Sequence, residues 1–144
     1  MKKIILSILV VLVCIVTVGC GVKTTKVKCS TDANSIKIDM NFTYLDSKSQ
    51  YDKSASMVAT MDLSKYTDKQ IEAIEKQKLC ESFLNGVGKL KPAFSNCKQT
   101  VENKELKMTA DLDLKKAEEN NLFKLKSEKK DIEKYFDGYK CSYE

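Results

Sequence analysis

Between Ser35 and Leu45 the chain alternates without a break: Ile36, Ile38, Met40, Phe42 and Tyr44 interleave with Lys37, Asp39, Asn41 and Thr43. A period of two sends successive side chains to opposite sides of a pleated strand, so this segment belongs to a sheet with one dry and one wet face. Antiparallel sheets accept that division; parallel sheets, buried on both faces, do not. The alternation returns from Ala55 to Leu63 through Met57, Ala59 and Met61, and from Leu106 to Leu114 through Met108, Ala110 and Leu112. Val27–Ser30 is expected to pair with the first alternating segment across Thr31–Asn34, with a turn at Asp46–Ser49 before the next strand. Cys97–Glu102 is expected to turn at Asn103-Lys104 into Leu106–Leu114.

Two helices are predicted around these strands. Thr67-Asp68-Lys69-Gln70 has capping-box spacing, and Ile71, Ile74, Leu79 and Phe83 form one apolar face up to Asn85-Gly86-Val87-Gly88, with Pro92 in the loop beyond. Ser127 can cap a second helix, on which Ile132, Tyr135 and Phe136 share a face and Gly138 supplies the stop. Tyr139–Tyr143 returns as a short last strand. The expected fold class is therefore α+β: an antiparallel sheet of about five or six strands with one or two helices packed on one face. The faces Ile36–Tyr44 and Leu106–Leu114 should meet one core, with the helix from Thr67 lying across it.

The N-terminal residues follow a different logic. Met1-Lys2-Lys3 is positive, and Ile4–Val18 is an uncharged apolar run of about 15 residues, short of the roughly 20 that span a bilayer. The run closes on Thr17-Val18-Gly19-Cys20, which looks like a lipobox, the motif of bacterial lipoprotein precursors, with Thr17 where Leu is commonest. On that likeness the Cys20 thiol takes a diacylglyceryl thioether, and small Gly19 precedes the cut. Cys14, inside the run behind bulky Val13, is the poorer acceptor. The expected organisation is a lipoprotein signal peptide over 1–19, lipidated Cys20 and a tether over 20–28, and one extracytoplasmic domain over 29–144. More than one acyl chain is needed for stable anchoring, which places the protein on the extracytoplasmic face of the cell membrane.

With Cys14 removed and Cys20 lipidated, four cysteines of the six remain: Cys29, Cys80, Cys97 and Cys141. An even set on an exported domain points to two disulfides, with three pairings open. Position favours Cys29–Cys141, which would pin the two ends of the domain together, and Cys80–Cys97. The competing reading is an exported thiol-redox or metal-binding protein that uses the same four cysteines. It lacks the close C-x-x-C pairs that zinc sites and redox dithiols normally show.

Composition narrows the chemistry further. The 144 residues include no His and no Trp, and all 25 basic residues are Lys. Without His there is no Ser–His–Asp or Cys–His catalysis and no His-ligated metal. Without Arg the bidentate fork for phosphate and carboxylate is missing. The formal charge of +5 includes Lys2 and Lys3, so the mature chain would set 23 Lys against 20 acids. These charges are mixed along the chain rather than gathered in a basic stripe, which argues against a nucleic-acid partner.

Candidate constellations are few. Asp111 and Asp113 share a strand face and could hold calcium, but Lys107, Thr109 and Lys115 lie on the same face, which suits a solvated surface better. Glu118-Glu119 reads as an exposed turn or helix start. Met40, Met57, Met61 and Met108 offer soft copper(I) ligands, yet their strand positions among Ile, Leu and Phe fit core filling. Phe42, Tyr44, Tyr51 and Phe94 read as core rings, with cleft lining as the alternative. No spacing singles out a Ser or Thr with a Lys base.

From Lys28 onward the chain resembles the small YehR-like lipoproteins and related uncharacterised lipoproteins. The resemblance is carried by Lys28-Cys29-Ser30, by Thr67-Asp68-Lys69-Gln70-Ile71 running to Leu79-Cys80-Glu81, by Met108-Thr109-Ala110-Asp111-Leu112-Asp113, and by Gly138-Tyr139-Lys140-Cys141. It implies a compact α+β domain on a lipid anchor and carries no activity. The function expected from sequence is that of a non-enzymatic binding or interaction module without a cofactor. It would be held to the membrane through Cys20 and take an unknown protein or small-molecule ligand.

Overall fold

The structure is a computed structural model that describes residues 23–144; the expected signal peptide, with Cys14, and the expected lipidation site Cys20 lie outside the described residues. Seven antiparallel strands form one sheet: β1 (Thr24–Ala33), β2 (Ile36–Leu45), β3 (Gln50–Tyr51), β4 (Ser54–Asp62), β5 (Phe94–Glu102), β6 (Glu105–Asp113) and β7 (Lys140–Tyr143). Their order is β5-β6-β4-β2-β1-β7, with β3 beside the end of β2. The α+β class holds; β7 is the short last strand expected over Tyr139–Tyr143, and β3, which was not expected, brings the sheet to seven strands.

The first hairpin is longer and tighter than its sequence suggests. β1 runs in unbroken register from Thr24↔Leu45 to Ala33↔Ile36. Thr31–Ala33 are therefore strand, and the turn shrinks to Asn34-Ser35, both with positive φ (51° and 67°). Positive φ at both loop residues is the twist-matched geometry of a two-residue hairpin. The β5–β6 hairpin repeats it at Asn103 (φ 50°) and Lys104 (φ 58°), where the turn was expected. The segment expected to be tether, up to Lys28, is also corrected. From Thr24 its backbone groups are taken by β2 on one side, and from Val27 by β7 on the other.

One sheet face is dry. Val27, Cys29, Met40, Phe42, Met57, Ala110 and Leu112 point into the core from four adjacent strands. The opposite face carries Lys28, Asp39, Asn41, Ser56, Thr109 and Asp111, and among the described residues no helix covers it.

The cover on the dry face differs from expectation. The helix from Thr67 is two helices, α1 (Asp68–Glu75) and α2 (Leu79–Gly86), separated at Lys76–Lys78. The capping box forms, with Gln70 N donating to Thr67 Oγ1 at 3.4 Å and Thr67 N to Gln70 Oε1 at 2.9 Å. Yet α1 buries no residue, so it does not lie across the core. The break is organised by Gln99 on β5. Its Nε2 donates to the carbonyls of Glu75 (3.3 Å) and Gln77 (2.7 Å), and its Oε1 accepts from the amides of Leu79 (3.0 Å) and Cys80 (3.3 Å). One side-chain amide thus satisfies the end of one helix and the start of the next.

The remaining cover comes from the C-terminal third. In α3 (Leu114–Glu119) the Asp113 carboxylate caps the first turn while Leu114 and Ala117 are buried. Phe123 and Ile132 close the rest. The predicted helix from Ser127 is a 3₁₀ helix, Lys129–Lys134, and its capping box is Glu128 with Asp131. The Ser127 hydroxyl instead donates to the Lys124 carbonyl. Gly138, with φ of 81°, turns the chain into β7.

Candidate functional site

Where the two parts of the cover fail to meet, the dry face is left open as an apolar cleft of about 220 Å³. Its floor is Ile38 and Met40 of β2, Met57 of β4 and Leu112 of β6. Met40 and Met57 are direct cross-strand partners, buried to 4% and 1% exposure, so the centre of the floor is thioether. Thioethers are polarizable and take several rotamers, which lets such a floor adapt to different apolar shapes.

One wall is α2 and the turn after it: Phe83, Val87 and Leu90, with Phe94 at the start of β5. Phe83 and Phe94 meet edge to face, ring centroids 5.6 Å apart. The other wall is Tyr135, Phe136 and Tyr139, where Phe136 packs on Phe42 at 5.3 Å and on Tyr139 at 5.6 Å. Tyr135 is 37% exposed, the one large apolar side chain so exposed among the described residues. Asp137 is the only charged residue in the lining.

Each wall is braced by a disulfide. Cys80–Cys97 ties α2 to β5, with Cα atoms 5.7 Å apart. Cys29–Cys141 ties β7, which directly follows the Tyr135–Tyr139 wall, to β1, with Cα atoms 4.0 Å apart. Cys97 reaches α2 through a β-bulge. Ser95 pairs with Asp111 and Lys98 with Thr109, so Asn96 and Cys97 together oppose Ala110. The extra residue lets Phe94 and Cys97 both face the dry side, and it turns Asn96 (φ 52°) outward, where its Nδ2 donates to Asp111 Oδ2 at 2.8 Å.

The wet face holds a larger but open dish of about 530 Å³, lined by Lys26, Lys28, Asn41, Ser56, Asp111 and Glu144 among others. Its neighbouring charges satisfy one another: Asp39 takes Lys28 at 3.3 Å and the Ser30 hydroxyl. Burial raises the Asp39 pKa, but these two hydrogen bonds outweigh it and hold the carboxyl below its ordinary value. Shallow and lined mainly by polar side chains, the dish offers a ligand less enclosure than the cleft does.

The sequence candidates scatter. Asp111 is exposed and engaged by Asn96, whereas Asp113 is spent on Lys115 N and Lys116 N at the start of α3. Phe42, Tyr44 and Tyr51 are core rings; Phe94 alone of that set lines the cleft. Among the described residues no three Cys, Asp or Glu side chains gather where a metal could sit. Phe83 and Phe136 were visible in sequence only as apolar positions on predicted helices, and nothing local marked them as facing each other across a gap.

No protein-family model, curated protein or solved structure matches the chain. The site is therefore read from its own geometry. A gap of this volume, apolar on its floor and both walls, takes one aromatic ring or a short aliphatic chain. Asp137 offers an attractive partner to a cation carried beside it. No side chain in the lining is a nucleophile with a base in reach. Among the described residues no helix is long and apolar enough to cross a membrane.

Proposed function

We propose that this chain is the precursor of an extracytoplasmic lipoprotein, anchored through lipid on Cys20, whose outer domain is a non-enzymatic binding module with the Phe83–Phe136 cleft as its ligand site. The observation that carries the reading is the cleft: an apolar gap over a methionine floor, left open between α2, cross-linked to β5, and the Tyr135–Tyr139 segment, whose following strand is cross-linked to β1. Cross-linked walls keep the gap from closing over its own apolar surface, which lowers the ordering cost of taking up a ligand. The ligand is an apolar group of roughly one ring, presented by a small molecule or by a protein side chain.

An environment-sensitive aromatic dye, 1-anilinonaphthalene-8-sulfonate, tests the cleft. The wild-type protein should enhance its fluorescence saturably, and Val87→Trp, which fills the gap from the turn after α2, should abolish this while the melting temperature holds. Equal dye binding by both proteins would place the apolar site elsewhere. The anchor is tested by feeding cells a radioactive fatty acid, which should label the wild type and leave Cys20→Ala unlabelled. Thiol titration of the denatured, unreduced mature protein should find no free thiol; a reactive pair would favour the thiol-redox or metal-binding role instead.

A further inference from the structure

The lipid anchor on Cys20, on which this inference rests, would hold the domain on a very short leash. Lys23 is already part of the fold, since its carbonyl accepts from Asp46 N at 3.0 Å. Only Gly21 and Val22 stand between it and Cys20. Three Cα steps span at most about 11 Å, so the end of the sheet where β1 begins is confined to headgroup level.

The same end carries a rim of lysines. The pairs Thr24↔Leu45 and Ser54↔Asp113 bring the start of β1, the end of β2, the start of β4 and the end of β6 together there. Lys48 sits in the 3₁₀ turn after β2, and Lys53 lies just before β4, its carbonyl accepting from Leu114 N. Lys115 and Lys116 open α3. Lys124 and Lys126 flank Leu125, whose carbonyl accepts from Tyr51 N. All six are exposed, and none enters an ion pair among the described residues.

Four carboxylates of this end are turned to internal work. Asp46 takes Lys129 Nζ at 2.6 Å and the Thr25 hydroxyl at 2.8 Å. Asp52 accepts from Lys53 N, Asp113 from the first amides of α3, and Glu118 from Leu125 N. Glu119 stands exposed among the lysines, and Glu144, beside Lys26 at the end of β7, is exposed too. The end of β6 lies three strand spacings from β1, about 14 Å, so both can rest on one plane.

We propose that Lys48, Lys53, Lys115, Lys116, Lys124 and Lys126 dock the domain onto anionic phospholipid headgroups of the membrane that holds Cys20. Attraction between a lysine and an anionic surface fades within a Debye length, about 8–10 Å, and the leash keeps the rim inside that range. Docking would fix which end of the domain faces the membrane and leave the hairpins at Asn34-Ser35 and Asn103-Lys104 pointing outward.

The test uses the full chain, expressed and processed in a bacterium, purified in detergent and checked by mass for lipid on Cys20. It is then reconstituted into vesicles of phosphatidylcholine alone or with phosphatidylglycerol, and lysine acetylation rates are read residue by residue. The six rim lysines should label roughly threefold or more slowly in the anionic vesicles and recover in high salt, while Lys65, Lys76 and Lys104 are unchanged. The variant K115Q/K116Q/K124Q/K126Q, altered only at exposed sites, should lose the slowing at Lys48 and Lys53. Uniform labelling on a protein that does carry the lipid would overturn the docking face and leave the anchor standing. Absence of lipid from Cys20 would overturn both.

Discussion

Cys29 and Cys141 are direct cross-strand partners at a position where the β1–β7 ladder makes no hydrogen bond. Lys26 and Glu144 exchange both backbone bonds, at 2.7 and 2.8 Å, so along an antiparallel pair 28/142 is bonded again and 29/141 is not. Non-bonded pairs bring Cα atoms closest, and this one stands at 4.0 Å with Cys29 fully buried. The bond closes a separation of 112 residues, for which chain entropy alone is worth about 4.7 kcal/mol. Cys141→Ala should therefore cost about 2–5 kcal/mol in denaturant unfolding and free β7 to exchange its amides. Peptide mapping of the unreduced protein should recover 29–141 and 80–97. Recovery of 29–80 would refute both the pairing and the sheet order.

The core should respond unequally at two positions that sequence treats alike. Leu112, 2% exposed, should cost about 2–5 kcal/mol when replaced by Ala. Ile38 lies half-buried on the cleft floor, so Ile38→Ala should cost clearly less while enlarging the site. Chemical denaturation of the two variants checks this, and equal costs would mean the cleft is closed in solution.

Acid should loosen the end of the sheet near β1. Lys129, followed by the Thr25 hydroxyl, holds the Asp46 carboxyl below its ordinary 3.8. A depressed carboxylate adds stability that is present above the unfolded pKa and lost as pH falls through the folded one. Asp46→Asn should thus lower stability by a near-constant amount above about pH 4, with the difference from wild type narrowing as the pH falls further and the acid limb flattening. An unaltered acid limb would show that the pair is not formed.

Alkali acts on the buried tyrosines. Burial pushes the Tyr51 hydroxyl well above its ordinary 10.0, and the hydroxyl donates to the Lys129 carbonyl. Burial, helped by the hydrogen bond to Glu133, pushes Tyr143 up to about 12. The unfolded chain ionises these phenols first, so their contribution is whole below the unfolded pKa and is lost as pH rises through the folded values. Burial raises Tyr139 as well, so absorbance at alkaline pH should show three late-titrating tyrosines, one missing in Tyr51→Phe, which should also cost about 1 kcal/mol for the lost bond.

The cap on α1 should matter only locally. Thr67→Ala removes the hydroxyl that accepts from Gln70 N, worth about 0.5–2 kcal/mol to the helix. Because α1 buries nothing, amide exchange should quicken over Asp68–Glu75 while global unfolding barely shifts. A matching drop in global stability would mean α1 packs on the core after all.

Much of this architecture was legible because it depends on local periods. Alternation in Ile36–Tyr44, Ala55–Leu63 and Leu106–Leu114 requires strands with one dry face, and Thr67 with Gln70 marks a helix start through atoms four residues apart at most. The exclusion of His-dependent chemistry and the likeness of Thr17–Cys20 to a lipobox likewise need no fold. What stayed hidden depends on contacts between distant residues. Gln99 splits one apolar helical stretch into two by taking four backbone groups from 20-odd positions away, and a polar residue in a strand announces no such partner. The bulge at Asn96-Cys97 sets which face Cys97 presents, and a one-residue insertion leaves no trace in a period of two. The cleft exists only because α2 and the Tyr135–Tyr139 segment stop short of each other, a gap set by how two covers from opposite parts of the chain seat on the same sheet. Sequence alone thus determined every strand but β3, the wet and dry faces and the available chemistry, and position in the chain favoured the two disulfide pairs that the structure contains. Tertiary structure alone decided the helix break, the bulge and the site, because those are properties of surfaces meeting rather than of residues in a row.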